Sequence, residues 1–264
     1  MKVFITIILL SVTVIAHTQI ITEKTIVYSR NVKDSFELYI STPKSFDNYK
    51  RYDVIYYCDA NLKSGKKLRA LISSATYNDK ISHTIFVGIG HIGDYHVLRR
   101  RDFILPFINK ADTIARNLMY GQIENFYQFL KTELIPQINK RFKTVPGNNS
   151  IVGHSLGGLF AFYCLFKNED LFKNYFALSP ALWIDHYNIY RFNKLAKQAL
   201  VEKNLYFSAG GLEVMNHIKK GADEMEAFLK TQAYHNVQYK YRVHKGKTHN
   251  SQVEESLKYI LALP

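Results

Sequence analysis

An α/β architecture, with a mostly parallel central sheet and helices on both faces, is what this sequence predicts. Three observations carry it. Apolar runs short enough for strands and continuous enough for burial on both faces occur at Val54-Ile55-Tyr56-Tyr57-Cys58 and Thr84-Ile85-Phe86-Val87-Gly88-Ile89. Strand-like and helix-like stretches then alternate, the pattern of a parallel sheet whose crossovers are helices. Finally, the run Ser150-Ile151-Val152 passes through Gly153-His154-Ser155-Leu156-Gly157-Gly158 straight into the helical stretch Leu159–Phe166.

In chain order, Lys2 and the apolar Val3–Leu10 lead to a small-residue exit, Val14-Ile15-Ala16 or Ala16-His17-Thr18. This predicts a secretory signal peptide over residues 1–18 and a single domain over 19–264. No cysteine follows the apolar segment to accept a lipid, and no later stretch is long enough to span a bilayer. The expected mature protein is therefore soluble, and periplasmic or secreted. Ile21–Tyr28 and Phe36–Ile40 predict an antiparallel opening pair of strands. After the two buried runs, Phe126–Ile138 has helical periodicity, with Pro136 expected to kink its end. Further strands are expected at Tyr175–Leu178, Leu205–Ser208 and Val237–Val243, and a closing helix from about Ser251 to Leu263.

Composition bounds the partners. The chain has 264 residues, 47% hydrophobic and 22% charged, which suits one sizeable core rather than a disordered or fibrous protein. Its formal net charge of +13 favours anionic substrates or surfaces, although a composition rich in Lys, Asn, Ile, Tyr and Phe is also what genome bias produces. No nucleic-acid-binding module is recognisable. The basic tract Arg99-Arg100-Arg101 is by default a solvated surface. The two cysteines, Cys58 and Cys164, are expected to be buried free thiols: Cys58 ends a strand, whereas Cys164 lies down the helix that leaves Ser155 the other way.

The turn at Ser155 has the form of the nucleophile elbow of an α/β-hydrolase, where strained backbone lifts a serine Oγ above the sheet and glycines leave room for the turn. Ser155 then stands at a helix N-terminus, with the Leu156 N–H aimed where an oxyanion would develop. His154 reads as a passenger of the motif, packed beside the turn. In this fold the triad runs nucleophile, acid, base along the chain. His249 lies in the loop between the last strand and the final helix, and is preferred to His244 at the strand end. Glu213 is the first carboxylate after Leu205–Gly211 and is preferred as the acid, with Asp185 the alternative; Asp223 and Glu224 fall too far into the next helix. The remaining histidines have no ligand-like spacing, so no metal or organic cofactor is expected.

These residues resemble the esterase D-like esterase family of α/β-hydrolases, which includes siderophore esterases, feruloyl and acetylxylan esterases, S-formylglutathione hydrolase and mycolyltransferases. The similarity covers nearly the whole chain after the leader. Beyond the Gly-His-Ser-Leu-Gly-Gly turn it rests on Arg101–Pro106, on Phe129–Ile138, on Ser179-Pro180-Ala181-Leu182-Trp183, and on the segments around Gly210–Glu213 and Gly246–His249. The resemblance implies a second oxyanion donor at the backbone N–H of Asn61, although Ala60 stands where relatives carry glycine. It also implies substrate contacts at Arg101 and Trp183, for which a structural ion pair and core packing are the respective alternatives. The function expected is a serine carboxylic-ester hydrolase working through an acyl-enzyme on a small-molecule ester. A basic, lid-poor, periplasmic esterase suits an anionic ester, a ferric siderophore lactone first. A polysaccharide acyl or feruloyl ester, acyl transfer on the same residues, and a non-catalytic binding protein are the alternatives.

Overall fold

The computed structural model describes residues 20–74, 79–106, 120–184, 187–195, 201–213, 217–232 and 234–263. The expected signal peptide lies outside them. The chain enters through β1 (Ile20–Ser29), β2 (Asp34–Pro43), β3 (Tyr52–Cys58), α1 (Lys63–Ser74), α2 (Asp79–Ser82), β4 (Thr84–His91) and α3 (Tyr95–Phe103). It continues with α4 (Ile123–Phe129), α5 (Ile135–Arg141), β5 (Thr144–His154), α6 (Leu156–Lys167), β6 (Asn174–Leu178), β7 (Lys203–Gly210), α7 (Ile218–Gln232), β8 (Val237–His244) and α8 (Gln252–Ala262).

The strands form one eight-stranded sheet in the order β1-β2-β4-β3-β5-β6-β7-β8. β1 and β2 are antiparallel to each other, and β2 is antiparallel to β4; from β4 to β8 every pairing is parallel. Burial explains the sequence runs: every residue of β4 is buried, as a strand covered on both faces requires, whereas β1 at the edge is largely exposed. One core lies on the face covered by α3 to α7 and holds Phe103, Phe126, Phe129, Leu159, Phe160 and Phe162. The other lies under α1, α2 and α8 and holds Leu68, Ile72, Ile81, Phe86, Leu257 and Ile260. The expected Cys58 and Cys164 thiols are free and buried. No helix among the described residues is long and apolar enough to cross a membrane.

One element departs from expectation. The predicted Phe126–Ile138 helix runs longer and is broken by a π-helical turn at Leu130–Leu134, before α5 carries Pro136 in its first turn. Proline has no N–H for the carbonyl four residues back, so the widened turn takes up the irregularity without bending the helix away from the core, where Phe129, Leu130 and Leu134 stay buried.

Parallel order puts the C-terminal ends of β3 to β8 at one end of the molecule. Three non-glycine residues there adopt positive φ, each immediately after a central strand: Asp59 (59°) after β3, Ser155 (61°) after β5 and Ser179 (42°) after β6. Such backbone costs on the order of 1–3 kcal/mol per residue and persists only where its surroundings over-determine it.

Candidate active site

The elbow is built by exclusion. Ser155, at φ 61° and ψ −116°, joins β5 directly to α6. A Cβ on Gly153 would stand 1.9 Å from the Gly157 carbonyl oxygen, and one on Gly158 would stand 2.9 Å from the Pro180 Cα. Only hydrogen fits at either place, so the turn closes tightly and α6 packs against the loop after β6. Two backbone bonds lock it: Ser155 N–H donates to the Leu178 carbonyl at 2.9 Å, and Ala181 N–H donates to the Ser155 carbonyl at 3.0 Å. Leu156 is the first residue of α6, so its N–H is one of the donors a helix start leaves without an intrahelical partner.

Glu213 and His249 meet as the chain order anticipates. The carboxylate is buried, and its Oε2 accepts from His249 Nδ1 at 2.8 Å. Its other oxygen accepts two short bonds, from the Ser179 hydroxyl and from the Gly210 N–H, each 2.6 Å. Three donors therefore fix both carboxylate oxygens against the imidazole. Ser179 was not singled out by the sequence; its one signal is the hydroxyl inside the Ser-Pro-Ala-Leu-Trp segment. The loops carrying the pair are cross-linked, because Gly211 N–H donates to the His244 carbonyl at 2.8 Å and Leu212 N–H to the Lys247 carbonyl at 3.0 Å.

His249 reaches the elbow through His154. The His154 Nε2 lies 2.9 Å from the His249 carbonyl oxygen, so that nitrogen carries a proton and donates it. The two rings lie alongside each other with centroids 4.4 Å apart. Desolvation, and then the neighbouring His249 and Arg99, push the His154 pKa down to about 3, which keeps its ring neutral. His244 points elsewhere: its Nε2 meets Ser256 Oγ at 2.9 Å within a buried cluster with Tyr206, between β7, β8 and α8. Asp185, the alternative acid, lies outside the described residues.

On the other side, the loop after β3 is pinned to the end of β4. Ala60 N–H donates to the Ile89 carbonyl at 3.0 Å, and Asn61 Nδ2 donates to the His91 carbonyl at 2.7 Å. Among the described residues the Asn61 backbone N–H donates to none of the carbonyls around it. The departure at Ala60 costs the loop nothing, because the left-handed residue is Asp59. Asp59 is held in turn by a bidentate ion pair with Arg99, at 2.7 and 2.9 Å, and a Cβ on Gly157 would stand 3.5 Å from its Oδ2. The β3 loop and the elbow are therefore in contact.

Arg101 is a correction. The resemblance placed it at the substrate, but its guanidinium is spent within the protein. Nε and Nη2 grip Asp102 at 2.7 and 2.9 Å, Nη1 binds Asp34 at 2.7 Å, and the residue is 8% exposed. Asp102 Oδ2 also contacts His91 Nε2 at 2.9 Å, with His91 packed among Phe36, Phe103 and Phe126. The physical reason is placement: Arg101 sits in the last turn of α3, facing β2 and β4. In the tract 99–101 only Arg100 is exposed. Trp183 is not a core residue. It is 38% exposed in the loop after β6, with its ring 6.2 Å from that of His217. Ile92 and Leu212, on other strand-end loops, and Tyr95, the first residue of α3, are also exposed apolar side chains. A groove of about 740 Å³ opens at the opposite end of the strands beside Asp53, Lys173 and Tyr239, and takes no part in this constellation.

Strand order, elbow and strand-end constellation together define a serine hydrolase of the α/β-hydrolase fold. Comparison with known proteins narrows the class. The Esterase family profile, described as "Putative esterase", matches residues 29–259, and the chain belongs to that family. It is 29% identical over 204 residues to the ferri-bacillibactin esterase BesA of Bacillus subtilis, a match covering 73% of this chain and 71% of that protein. It is 30% identical over 133 residues to the siderophore triacetylfusarinine C esterase of Aspergillus fumigatus, covering 49% of this chain and 44% of that one. Among solved structures, the BES protein from Bacillus cereus superposes with a TM-score of 0.76 at 28% identity, covering 90% of this chain and 95% of that chain. The protein is thus a serine esterase, a carboxylic-ester hydrolase.

Proposed function

We propose that Ser155, Glu213 and His249 form the catalytic triad and that the substrate is a siderophore ester, opened by hydrolysis of its lactone or ester linkages. The observation that carries the roles is the 2.8 Å contact between Glu213 and His249 on a loop tied to the residue preceding Ser155. Ser155 Oγ attacks the acyl carbon while His249 Nε2 takes its proton. The carbonyl oxygen, now an oxyanion, is stabilised by the backbone N–H groups of Leu156 and Asn61. Glu213 keeps Nδ1 protonated, so that Nε2 is the free base, and stabilises the imidazolium that forms. The imidazolium returns the proton to the leaving alcohol, and water resolves the acyl-enzyme by the same steps.

The siderophore assignment is supported by the substrates that name the relatives, ferri-bacillibactin and triacetylfusarinine C. Net charge of +13 agrees with an anionic ferric complex, drawn in by the field of the whole protein rather than by Arg101. Trp183 is assigned to the substrate rim. The leader expected at residues 1–18 supports a periplasmic or secreted location, which N-terminal sequencing of the mature protein tests. Purified enzyme is to be incubated with a ferric catecholate trilactone, a ferric hydroxamate ester and a feruloylated oligosaccharide, and the products separated by mass. Release of linear siderophore acid by wild type and not by Ser155→Ala is expected. Turnover of the feruloyl ester alone refutes the substrate class.

A further inference from the structure

Catalysis by this constellation demands that the base stay within reach of the serine, yet His249 sits on a short exposed loop, residues 245–251, that Gly246 enters at positive φ. The loop's own hydrogen bonds are local, among His244, Lys247, Thr248, Ser251 and Gln252, and its side-chain tie to α8 is a long contact from Lys247 to Glu255 at 3.4 Å. The Leu212 bond reaches it only at Lys247. At His249 itself two ties remain. Glu213 holds the ring by Nδ1, which fixes one edge of the imidazole but leaves it able to pivot about that bond. The second tie is on the backbone, and it comes from His154.

We propose that His154, the residue before the nucleophile, is a positioning residue: it holds the catalytic base at a set distance from Ser155 by donating Nε2–H to the His249 carbonyl and by packing beside its ring. This rests on the assignment of Ser155 and His249 made above. The bond is 2.9 Å and the centroids are 4.4 Å apart, so backbone and ring are restrained together. His154 can do this because its own place is fixed. It is the last residue of β5, paired in the sheet opposite Leu178, and its carbonyl is within 3.4 Å of the Arg99 Nη2 that also grips Asp59. Nucleophile and base thereby hang from adjacent residues at the C-terminal end of β5. Histidine suits the role on two counts. A planar ring packs against an imidazole, and its N–H reaches a carbonyl that an aliphatic side chain would leave without a partner.

The ring must also be neutral. The charged and titratable groups facing the pair are Glu213 from the loop after β7, Asp59 from the loop after β3 and Arg99 from α3. A protonated His154 would stand beside the imidazolium formed during turnover, ring centroids 4.4 Å apart. The depressed pKa of His154 removes that repulsion at neutral pH.

The test uses full-length mature enzyme and a neutral ester, with kcat and KM measured beside the rate of inactivation by a fluorophosphonate. His154→Phe keeps the ring and loses the donor; His154→Gln keeps a donor of similar reach and loses the ring. A misplacement of the base by about an ångström is worth up to roughly 100-fold in rate. The expected result for His154→Phe is a fall of roughly 10- to 100-fold in kcat and in fluorophosphonate reactivity together, with KM within about threefold. His154→Gln is expected to recover most of that loss. Should the phenylalanine variant fail to fold, His154→Met serves as the arm without a donor. Wild-type kcat in a folded variant without the donor overturns the proposal. So does equal loss in the glutamine variant accompanied by a matching fall in melting temperature, which would make His154 packing only. His249→Ala run in parallel separates the two levels: full activity there removes the base assignment, whereas an inactive His249→Ala beside an active His154→Phe removes only the positioning role.

Discussion

The ion-pair cluster at Arg101 offers the sharpest test of where charge acts in this molecule. Arg101→Met keeps the length and apolar stem of the side chain and removes the guanidinium. Asp102, with no exposure at all, then loses two charge-assisted hydrogen bonds and keeps only the buried His91 as a partner; Asp34 loses its own bond. Removing one member of a buried pair costs about 3–5 kcal/mol, because the remaining carboxylate stays desolvated. In a domain of this size each kcal/mol moves the melting temperature by roughly 2–4 °C, so a fall of about 6–20 °C is expected. Activity is to be measured well below the new transition, on one neutral and one anionic ester sharing the same leaving group. Both should change by the same factor, since the guanidinium meets Asp34 and Asp102 and not the substrate. A variant that melts with wild type and loses only the anionic substrate would refute this reasoning and restore Arg101 to the binding site.

Three further outcomes follow from the same geometry. Ser155→Ala should lower ester hydrolysis by ~10⁴-fold or more while leaving the far-ultraviolet spectrum and melting curve unchanged, and a folded mutant that keeps most activity sinks the elbow assignment. Ser179→Ala removes one of three donors to Glu213, and a loss of about tenfold in kcat with little change in KM is expected; unchanged kcat would show that the Gly210 N–H suffices. The third concerns pH. His154 has its folded pKa at about 3, below the ordinary 6.5, so the folded state binds fewer protons than the unfolded chain between those values. Its contribution to stability is therefore complete above about 6.5 and drains away as pH falls toward 3, at up to about 1.4 kcal/mol per pH unit. Urea unfolding between pH 7 and 5 should show a shallower dependence in His154→Gln than in wild type, by close to one proton; identical slopes would contradict it.

Much of this could be read along the chain because the relevant signals are local. The runs at 54–58 and 84–89 are strands buried on both faces, and the glycines of the elbow declare a turn that only hydrogen can fill. Glu213 and His249 were located by chain order, since each follows a strand end that parallel topology brings to one side. Arg101 was misplaced for the converse reason. Its partners Asp34 and Asp102 include a residue 67 positions away, and nothing in the tract 99–101 tells which of three arginines turns inward. Ser179 and His154 escaped for a related cause: their work lies in single hydrogen bonds across loops, a glutamate oxygen in one case and a backbone carbonyl in the other. The π-turn before Pro136 shows a third limit, because a missing N–H says that a helix must adjust but not whether it bends or widens.

The strand-end loops are laced to one another by main-chain bonds, Ser155 to Leu178, Ala181 to Ser155, Ser179 to Ser208, Gly211 to His244 and Leu212 to Lys247. In effect the sheet continues into the reacting groups as a stitched fabric, and side chains on that fabric can be exchanged without unpicking it. Ile92, Tyr95, Trp183 and Leu212 project from it with no part in the stitching by their side chains. Divergence toward new esters therefore has a cheap route, through the outward side chains, and a costly one, through the laced backbone. A lineage can change what it hydrolyses many times over while how it hydrolyses stays fixed.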